Sequence, residues 1–289
     1  MSALREIGVV VIGLGIAGRV RVRDLKEKTC GLRLKGVVSR RQVDLDGVPS
    51  YTMEEALSRS DVDALIISTE PCLHEDYVRR GLENGKHVLV EYPVALSSDT
   101  AKQLYQLADE KGLILHEENI ALLTEGHLLV KNKAEKSQLK SGKYTIAGSY
   151  NGWLEDFDKS GLPFVTGISS IQSVLSLFGD VKVIGGKLDQ AKNSYTAHAD
   201  LEAQGKPMSI TLSRFKSNEM GRQKHTIYEF EDGEVLDSDK LEQKMSKPGL
   251  FMRDMENFYA AILAGKIPEE QKKISIHSLE IAEKIHSFF

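Results

Sequence analysis

At 289 residues, with 41% hydrophobic and 28% charged side chains and only 7 prolines, the chain is long enough for two domains and is too apolar for a disordered or fibrous protein. Its formal charge of -4 argues against general attraction to nucleic acid or anionic membrane, so any anion site has to be a local cluster of Lys and Arg. Cys30 and Cys72 fit neither a zinc spacing nor a disulfide framework, and no run approaches the roughly 18 apolar residues of a membrane span, so a reducing, cytoplasmic setting without metal is expected.

From residue 7 to about residue 115, apolar runs of strand length alternate with amphipathic segments of helix length. IGVVVI (7–12) reads as a strand, 16–28 as a helix, LKGVVS (34–39) as a strand and MEEAL (53–57) as a short helix. DALIIS (63–68), HVLVEY (87–92) and LILHEE (113–118) read as further strands, with helices over 74–84 and 97–111; Gly112 closes the last of these. Strands this uniformly apolar are covered on both faces. The alternation therefore implies an α/β, doubly wound parallel sheet with right-handed crossovers.

Beyond residue 140 the pattern changes. Segments 143–151, 181–189, 195–203, 208–215 and 225–232 alternate apolar and polar residues between turn-forming stretches, as expected of a large, open antiparallel sheet with one wet face. Helices are expected at about 119–135, 166–178, 250–264 and 276–287. The expected organisation is thus a Rossmann domain over 1–120 and an α+β domain over 121–289, with the last helices free to return to the first domain.

The sequence GLGIAG places Gly13, Gly15 and Gly18 between the first strand and the first helix. In a dinucleotide site the first glycine makes the tight turn, the second lets backbone approach the pyrophosphate, and the third lets helix and strand pack closely. The phosphates then sit on free N–H groups at the helix N-terminus, with Ile16 and Ala17 in the same turn. An NAD site usually carries Asp or Glu at the end of the second strand. Here the position is held by Ser39, 26 residues after Gly13, followed by Arg40 and Arg41. A carboxylate would repel a 2′-phosphate, whereas a hydroxyl and two guanidiniums bind one, so NADPH is expected over a weaker NADH.

GKHVLVEYP (85–93) ends the fourth main strand with Glu91, Tyr92 and Pro93. With VVSRR (37–41), HEDYV (74–78), LHEEN (115–119), SGLPFVTGIS (160–169) and LFGD (177–180), it resembles the glucose-fructose oxidoreductase / inositol dehydrogenase superfamily and, within it, the biliverdin reductase family. The superfamily has Glu-Lys-Pro where this chain has Glu91-Tyr92-Pro93, so the tyrosine narrows the match. The resemblance implies hydride transfer from NADPH to the central methine bridge of biliverdin, a linear tetrapyrrole, with a proton to a pyrrole nitrogen. It also implies a monomer that needs neither nucleic acid nor membrane. Thr69, Glu70, His74, Glu91 and Tyr92 complete the implied cofactor set. Tyr92 is the candidate for positioning or proton donation, and Glu118 either orients a reacting group or serves structure. His74 and His116 read more readily as supporting than as catalytic residues. Arg214, Lys216, Arg222 and Lys224 offer cations to two propionates, or form a solvated edge.

The chain departs from the family pattern at Ile16, where a basic residue is common, at Asn119, Ile120 and Ala121, where His-Val-Glu is common, and at Ser170, where Arg is expected to contact the tetrapyrrole. A hydroxyl does not replace a fixed charge. Three alternatives stay open on this basis: a paralogue acting on another substrate, a small carbonyl or sugar dehydrogenase, and a catalytically weak protein that binds NADPH or a bilin.

Overall fold

The computed structural model describes residues 5–27, 30–41, 45, 47–217, 221–241 and 247–289. Its contacts divide the chain into two compact units: Met1–Ala95, Asp99–Ile120 and Ser246–Lys273 in one, and Leu96–Ser98, Ala121–Met245 and Ile274–Phe289 in the other.

The first unit is built on β1 (Ile7–Ile12), β2 (Leu32–Val38), β3 (Ser50–Tyr51), β4 (Ala64–Ile67), β5 (His87–Val90) and β6 (Leu115–Glu117), ordered β3-β2-β1-β4-β5-β6 with every pair parallel. Its helices are α1 (Ile16–Lys26), α2 (Met53–Ser58), α3 (His74–Glu83), α4 (Ser98–Lys111, from Asp99 onward) and α9 (Leu250–Ala264). Val9, Val11, Ala64, Ile66 and Leu89 are fully buried under Val22 and Leu25 of α1 and Met255, Phe258 and Ile262 of α9. Each large aliphatic side chain buried in this way contributes about 1.5–3 kcal/mol. The short α2 is fixed by a reciprocal cap in which Thr52 Oγ1 accepts from Glu55 N–H (3.1 Å) and Glu55 Oε2 accepts from Thr52 N–H (2.7 Å). Strand order reverses beside β1, and in such sheets ligands bind at the carboxyl ends of the strands at that point.

The second unit carries β7 (Leu139–Ser149), β8 (Val181–Ala191), β9 (Ser194–Ala203), β10 (Lys206–Phe215), β11 (Gln223–Phe230) and β12 (Val235–Asp237), ordered β12-β11-β7-β10-β9-β8. This sheet is mostly antiparallel, as expected, with one parallel pair. β7 and β10 run parallel, with Ile146 opposite Leu212, and the other pairs are antiparallel. Alternation of apolar and polar residues is the same for both directions, so the pattern could not separate them. One face buries Tyr144, Ile146, Ala197, Leu201, Ile210, Leu212 and Tyr228; the other carries the half-buried Thr145, Thr196, His198 and Thr211.

Four helix expectations shift. The end of the expected 16–28 helix lies outside the described residues at position 28; the described helix stops at Lys26. The expected 119–135 helix is a 3-10 turn at Ile120–Leu123 followed by α5 (Glu125–Ala134), because Thr124 Oγ1 accepts from His127 N–H (3.3 Å) and starts a new helix. The 166–178 helix is α7 (Pro163–Thr166) and α8 (Ile168–Phe178), which follow the short α6 (Phe157–Ser160). The last helix, α10 (Glu269–His286), begins two turns earlier than expected, directly after Pro268, whose fixed φ suits a helix start.

Candidate functional site

In the first unit the turn from β1 into α1 has the geometry that the glycines require. Gly13 has φ +86°, and a Cβ there would lie 2.4 Å from the Ser68 carbonyl oxygen. A Cβ on Gly18 would lie 2.0 Å from the Gly13 carbonyl oxygen, so helix and strand touch at that point. Gly15 differs: its Cβ would meet no described atom within 4 Å, and its φ of -70° is open to any residue. The space above Gly15 is therefore clear. Among the described residues no side chain caps α1 and its first turn carries no acid, while Ile16 is 90% exposed. Open N–H groups with the positive end of the helix dipole suit a pyrophosphate.

At the end of β2, Ser39 Oγ accepts from Arg41 N–H (3.1 Å), which orders the turn carrying both arginines. Both guanidiniums are exposed, and Arg40 pairs with Glu70, Nη2 to Oε1 at 2.5 Å. Glu70 follows Thr69 at the end of β4. His74, fully buried at the start of α3, ties this strand end to the next: Nδ1 lies 2.7 Å from the Pro93 carbonyl oxygen and Nε2 lies 3.1 Å from that of Thr69. Burial pushes the imidazole below its ordinary pKa. The neutral ring donates to one carbonyl, and the shorter contact favours Pro93. Its influence on a ligand is thus exerted through Thr69 and Pro93, not through direct contact.

Behind these strand ends lies a buried ionic network. Arg21 is fully buried; its Nε donates to Glu91 Oε1 (2.8 Å) and its Nη2 to Asp254 Oδ2 (2.9 Å). Asp254 Oδ1 lies 2.9 Å from His116 Nε2, and Gln271 Nε2 donates to the Glu117 carbonyl oxygen (3.2 Å) and lies 3.2 Å from His116 Nδ1. Burial pushes Asp254 up, but His116 and Arg21 outweigh it and hold the carboxyl below its usual range. Burial raises Glu91, and Arg21 offsets this only in part. Glu118 is raised furthest, by burial first and then by the neighbouring Glu91 and Asp254, which favours its protonated form. Its Oε1 accepts from Ile120 N–H (2.6 Å), while its buried Oε2 has no hydrogen-bond partner among the described residues.

Tyr92 is partly exposed between Glu91 and the cis-linked Pro93. It stands at the end of β5, adjacent to β6 and Glu118. The arrangement offers a phenol and a buried carboxyl of raised proton affinity at neighbouring strand ends, with Glu91, whose side chain is 15% exposed, held from behind by Arg21.

Sequence reasoning did not single out Arg21, Asp254 or Gln271. A signal existed. Gly18, Arg21, Val22 and Leu25 occupy one buried helical stripe, and a guanidinium on such a stripe requires buried carboxylates.

In the second unit the expected cations share one face of the sheet. Gly148 of β7 lies between Arg214 of β10 and Arg222 next to β11; its Cβ would fall 2.9 Å from Arg214 Nη1 and 3.5 Å from Arg222 Cα. Arg222 Nη2 donates to Ser169 Oγ (3.3 Å) in the first turn of α8, and Arg214 hydrogen-bonds Tyr195, partly offsetting the rise that burial gives that phenol. Lys224 stacks on Tyr144, 4.9 Å from the ring centroid, and Lys216 pairs with Glu155 at 2.7 Å. Ser170 is a correction to the expected substrate contacts: it is fully buried and its hydroxyl donates to the Gly167 carbonyl oxygen (2.7 Å), so it offers no donor to a ligand. Ser169 takes that place beside Arg222. The β11–β12 pairing also brings His225, Asp237 and Asp239 within 4.8 Å of one another, a grouping not visible in the sequence spacing; Lys240 shares Asp237 at 3.4 Å.

No described helix is long and apolar enough to cross a membrane. Residues 7–119 match the model of an oxidoreductase family with an NAD-binding Rossmann fold. The fold is shared with a solved biliverdin reductase of Synechocystis, crystallised with biliverdin and NADP+, at TM-score 0.78 and 24% identity, covering 97% of this chain and 98% of that one. Biliverdin reductase A of Homo sapiens is 33% identical over 98% of this chain and 96% of its own length. Biliverdin reductase A of Mus musculus is 36% identical over 97% of this chain and 95% of its own length. With both units spanned at that identity, the chain is an NAD(P)H-dependent oxidoreductase and belongs to the biliverdin reductase family.

Proposed function

We propose that the chain reduces biliverdin to bilirubin with NADPH. The observation that carries this reading is the open start of α1 beside the paired arginines, in a chain related along its whole length to biliverdin reductase A. The α1 N-terminus, with Gly13, Gly15, Ile16, Ala17 and Gly18, holds the pyrophosphate, and Ser39, Arg40 and Arg41 hold the 2′-phosphate. Thr69, Glu70, Glu91 and Tyr92 line the same edge. His74 sets the spacing of the Thr69 and Pro93 carbonyls. When bound, the dihydronicotinamide supplies the hydride for the central methine bridge.

The protein residues supply charge and protons. Arg214 and Arg222, flanking Gly148, take the propionates by charge-assisted hydrogen bonds, with Lys224 beside them. Tyr92 positions the reacting pyrrole through a hydrogen bond. Glu118, whose proton affinity is raised by burial, supplies the proton of the new N–H bond and is reprotonated from solvent. The reaction balances as one hydride and one proton added across the tetrapyrrole.

The test is direct: purified protein, biliverdin and saturating NADPH, followed as the green absorbance gives way to yellow. Turnover is expected. A spectrum that stays green with bound cofactor rules out reductase activity and leaves a binding protein. The burial of Ser170 favours one secondary feature, propionate capture through Arg222 and Ser169 in place of a guanidinium at position 170.

A further inference from the structure

We infer that Glu70 is a specificity-setting residue that competes with the cofactor's 2′-phosphate for Arg40, and so keeps the site open to nucleotides that lack this phosphate. The inference rests on reading Ser39–Arg41 as the 2′-phosphate side of the site. Three observations support it. Arg40 and Arg41 follow one another, but their surroundings differ: Arg40 is engaged by Glu70 Oε1 at 2.5 Å, whereas among the described residues the Arg41 guanidinium forms no ion pair and only its backbone N–H is bonded, to Ser39 Oγ. Glu70 is the better-fixed partner. Its carboxylate is only 21% exposed against 75% for the Arg40 guanidinium, and its backbone carbonyl accepts from Leu73 N–H (3.0 Å) in the turn that leads into α3. Glu70 also stands at the end of β4, next to Thr69, whose carbonyl oxygen lies 3.1 Å from Nε2 of buried His74.

A largely buried carboxylate and an exposed guanidinium at this edge have opposite effects on the two cofactor types. A phosphate monoester carries about -1.5 to -2 charge at neutral pH. To reach Arg40 it must draw the guanidinium from Glu70 or share it, with the carboxylate alongside as a like charge. A ribose bearing a free 2′-hydroxyl meets no such cost, because the carboxylate accepts its hydrogen bond as acidic residues do in NAD sites. Arg41 then carries the larger part of the preference for the phosphate, and Arg40 carries a reduced share. Burial pushes the Glu70 carboxyl up, but its own backbone N–H and Arg40 overcome this and keep it ionised, in keeping with a charge available to compete.

The experiment uses 2′,5′-ADP and 5′-AMP, which differ only in the phosphate concerned, with binding to the full chain measured by calorimetry. In Glu70→Gln, affinity for 2′,5′-ADP is expected to rise about 3- to 5-fold, the size of one partly exposed charge pair, while 5′-AMP binding weakens or stays within about 2-fold. Arg40→Gln should weaken 2′,5′-ADP, and Glu70→Gln should give no gain on that background. If Arg40→Gln leaves 2′,5′-ADP binding unchanged, the assignment of the phosphate side itself fails. If Arg40→Gln weakens it while Glu70→Gln and Glu70→Ala both leave the ratio of the two ligands unchanged, Glu70 does not compete and the inference is overturned on its own. Far-UV circular dichroism of each variant confirms that the comparison is between folded proteins.

Discussion

Replacing Asp254 with alanine removes the carboxylate that Arg21 and His116 share. The side chain is 1% exposed; its Oδ2 accepts from Arg21 Nη2 at 2.9 Å and its Oδ1 lies 2.9 Å from His116 Nε2. Without it, a fully buried guanidinium retains Glu91 as its one close ion partner among the described residues. Nη1 already lacks a hydrogen-bond partner, and Nη2 would lose its own. Breaking one side of a buried pair costs about 3–5 kcal/mol because the remaining charge stays desolvated. For a domain of this size that lowers the melting temperature by about 6–20 °C at neutral pH, read by circular dichroism. The double variant Arg21→Met with Asp254→Leu removes both charges together and should recover at least about 2 kcal/mol of the summed single losses. A melting temperature within about 2 °C of wild type for Asp254→Ala, or strictly additive losses in the double variant, would refute the account of a mutually dependent network.

Three other outcomes follow from the geometry. Gly15→Val should leave the melting temperature within about 2 °C of wild type yet weaken NADPH by about 10-fold or more, whereas Gly18→Ala should destabilise by about 1–3 kcal/mol by forcing a Cβ into the Gly13 carbonyl; equal effects on folding would contradict the assignment. Glu118→Gln keeps the shape and the bond from Ile120 N–H but loses the acid proton, so turnover should fall by about 10- to 100-fold with stability retained, and an unchanged rate and pH profile would remove Glu118 from the chemistry. His286 and His127 are pushed down to about 4, both by burial, with Lys224 and Lys131 adding to the effect at His127. Neutral in the fold and protonated more readily when unfolded, they stabilise above about pH 6.5, and that contribution is lost as pH falls towards 4. Acid titration of the unfolding midpoint should show this loss, and His286→Gln, which keeps an acceptor for Phe164 N–H (3.1 Å), should flatten it.

What could be read from the sequence was local. Gly13, Gly15 and Gly18 announce a strand, turn and helix because each answers a demand made within a few residues, and the apolar run VVVI admits only a strand covered on both sides. Ser39, Arg40 and Arg41 were legible as a cluster for the same reason. The polar start of α10, EEQKK, has no apolar period to betray it, and the parallel partnership of β7 with β10 leaves no trace in alternation. Most of what was missed depends on distance along the chain. Arg21 meets Asp254 across 233 residues and Arg40 meets Glu70 across 30, and nothing near either arginine shows which carboxylate will reach it.

Ser170 shows the complementary failure, in which a family resemblance implies a substrate contact at a position that this chain buries. A serine two places into a helix can turn its hydroxyl to a ligand or back to the preceding turn. Here it bonds Gly167, and its neighbour Ser169 meets Arg222. The consequence concerns chemistry as well as position. If propionate binding depends on Arg222 reaching across Gly148 towards Arg214, then restoring an arginine at position 170 inserts a guanidinium into a fully buried helical position, where its desolvation is uncompensated. Ser170→Arg is therefore expected to lose stability without gaining turnover on biliverdin, while Arg222→Ala lowers biliverdin affinity. A gain in activity from Ser170→Arg would show that the helix start opens towards the substrate and that the burial of Ser170 is not what sets its role.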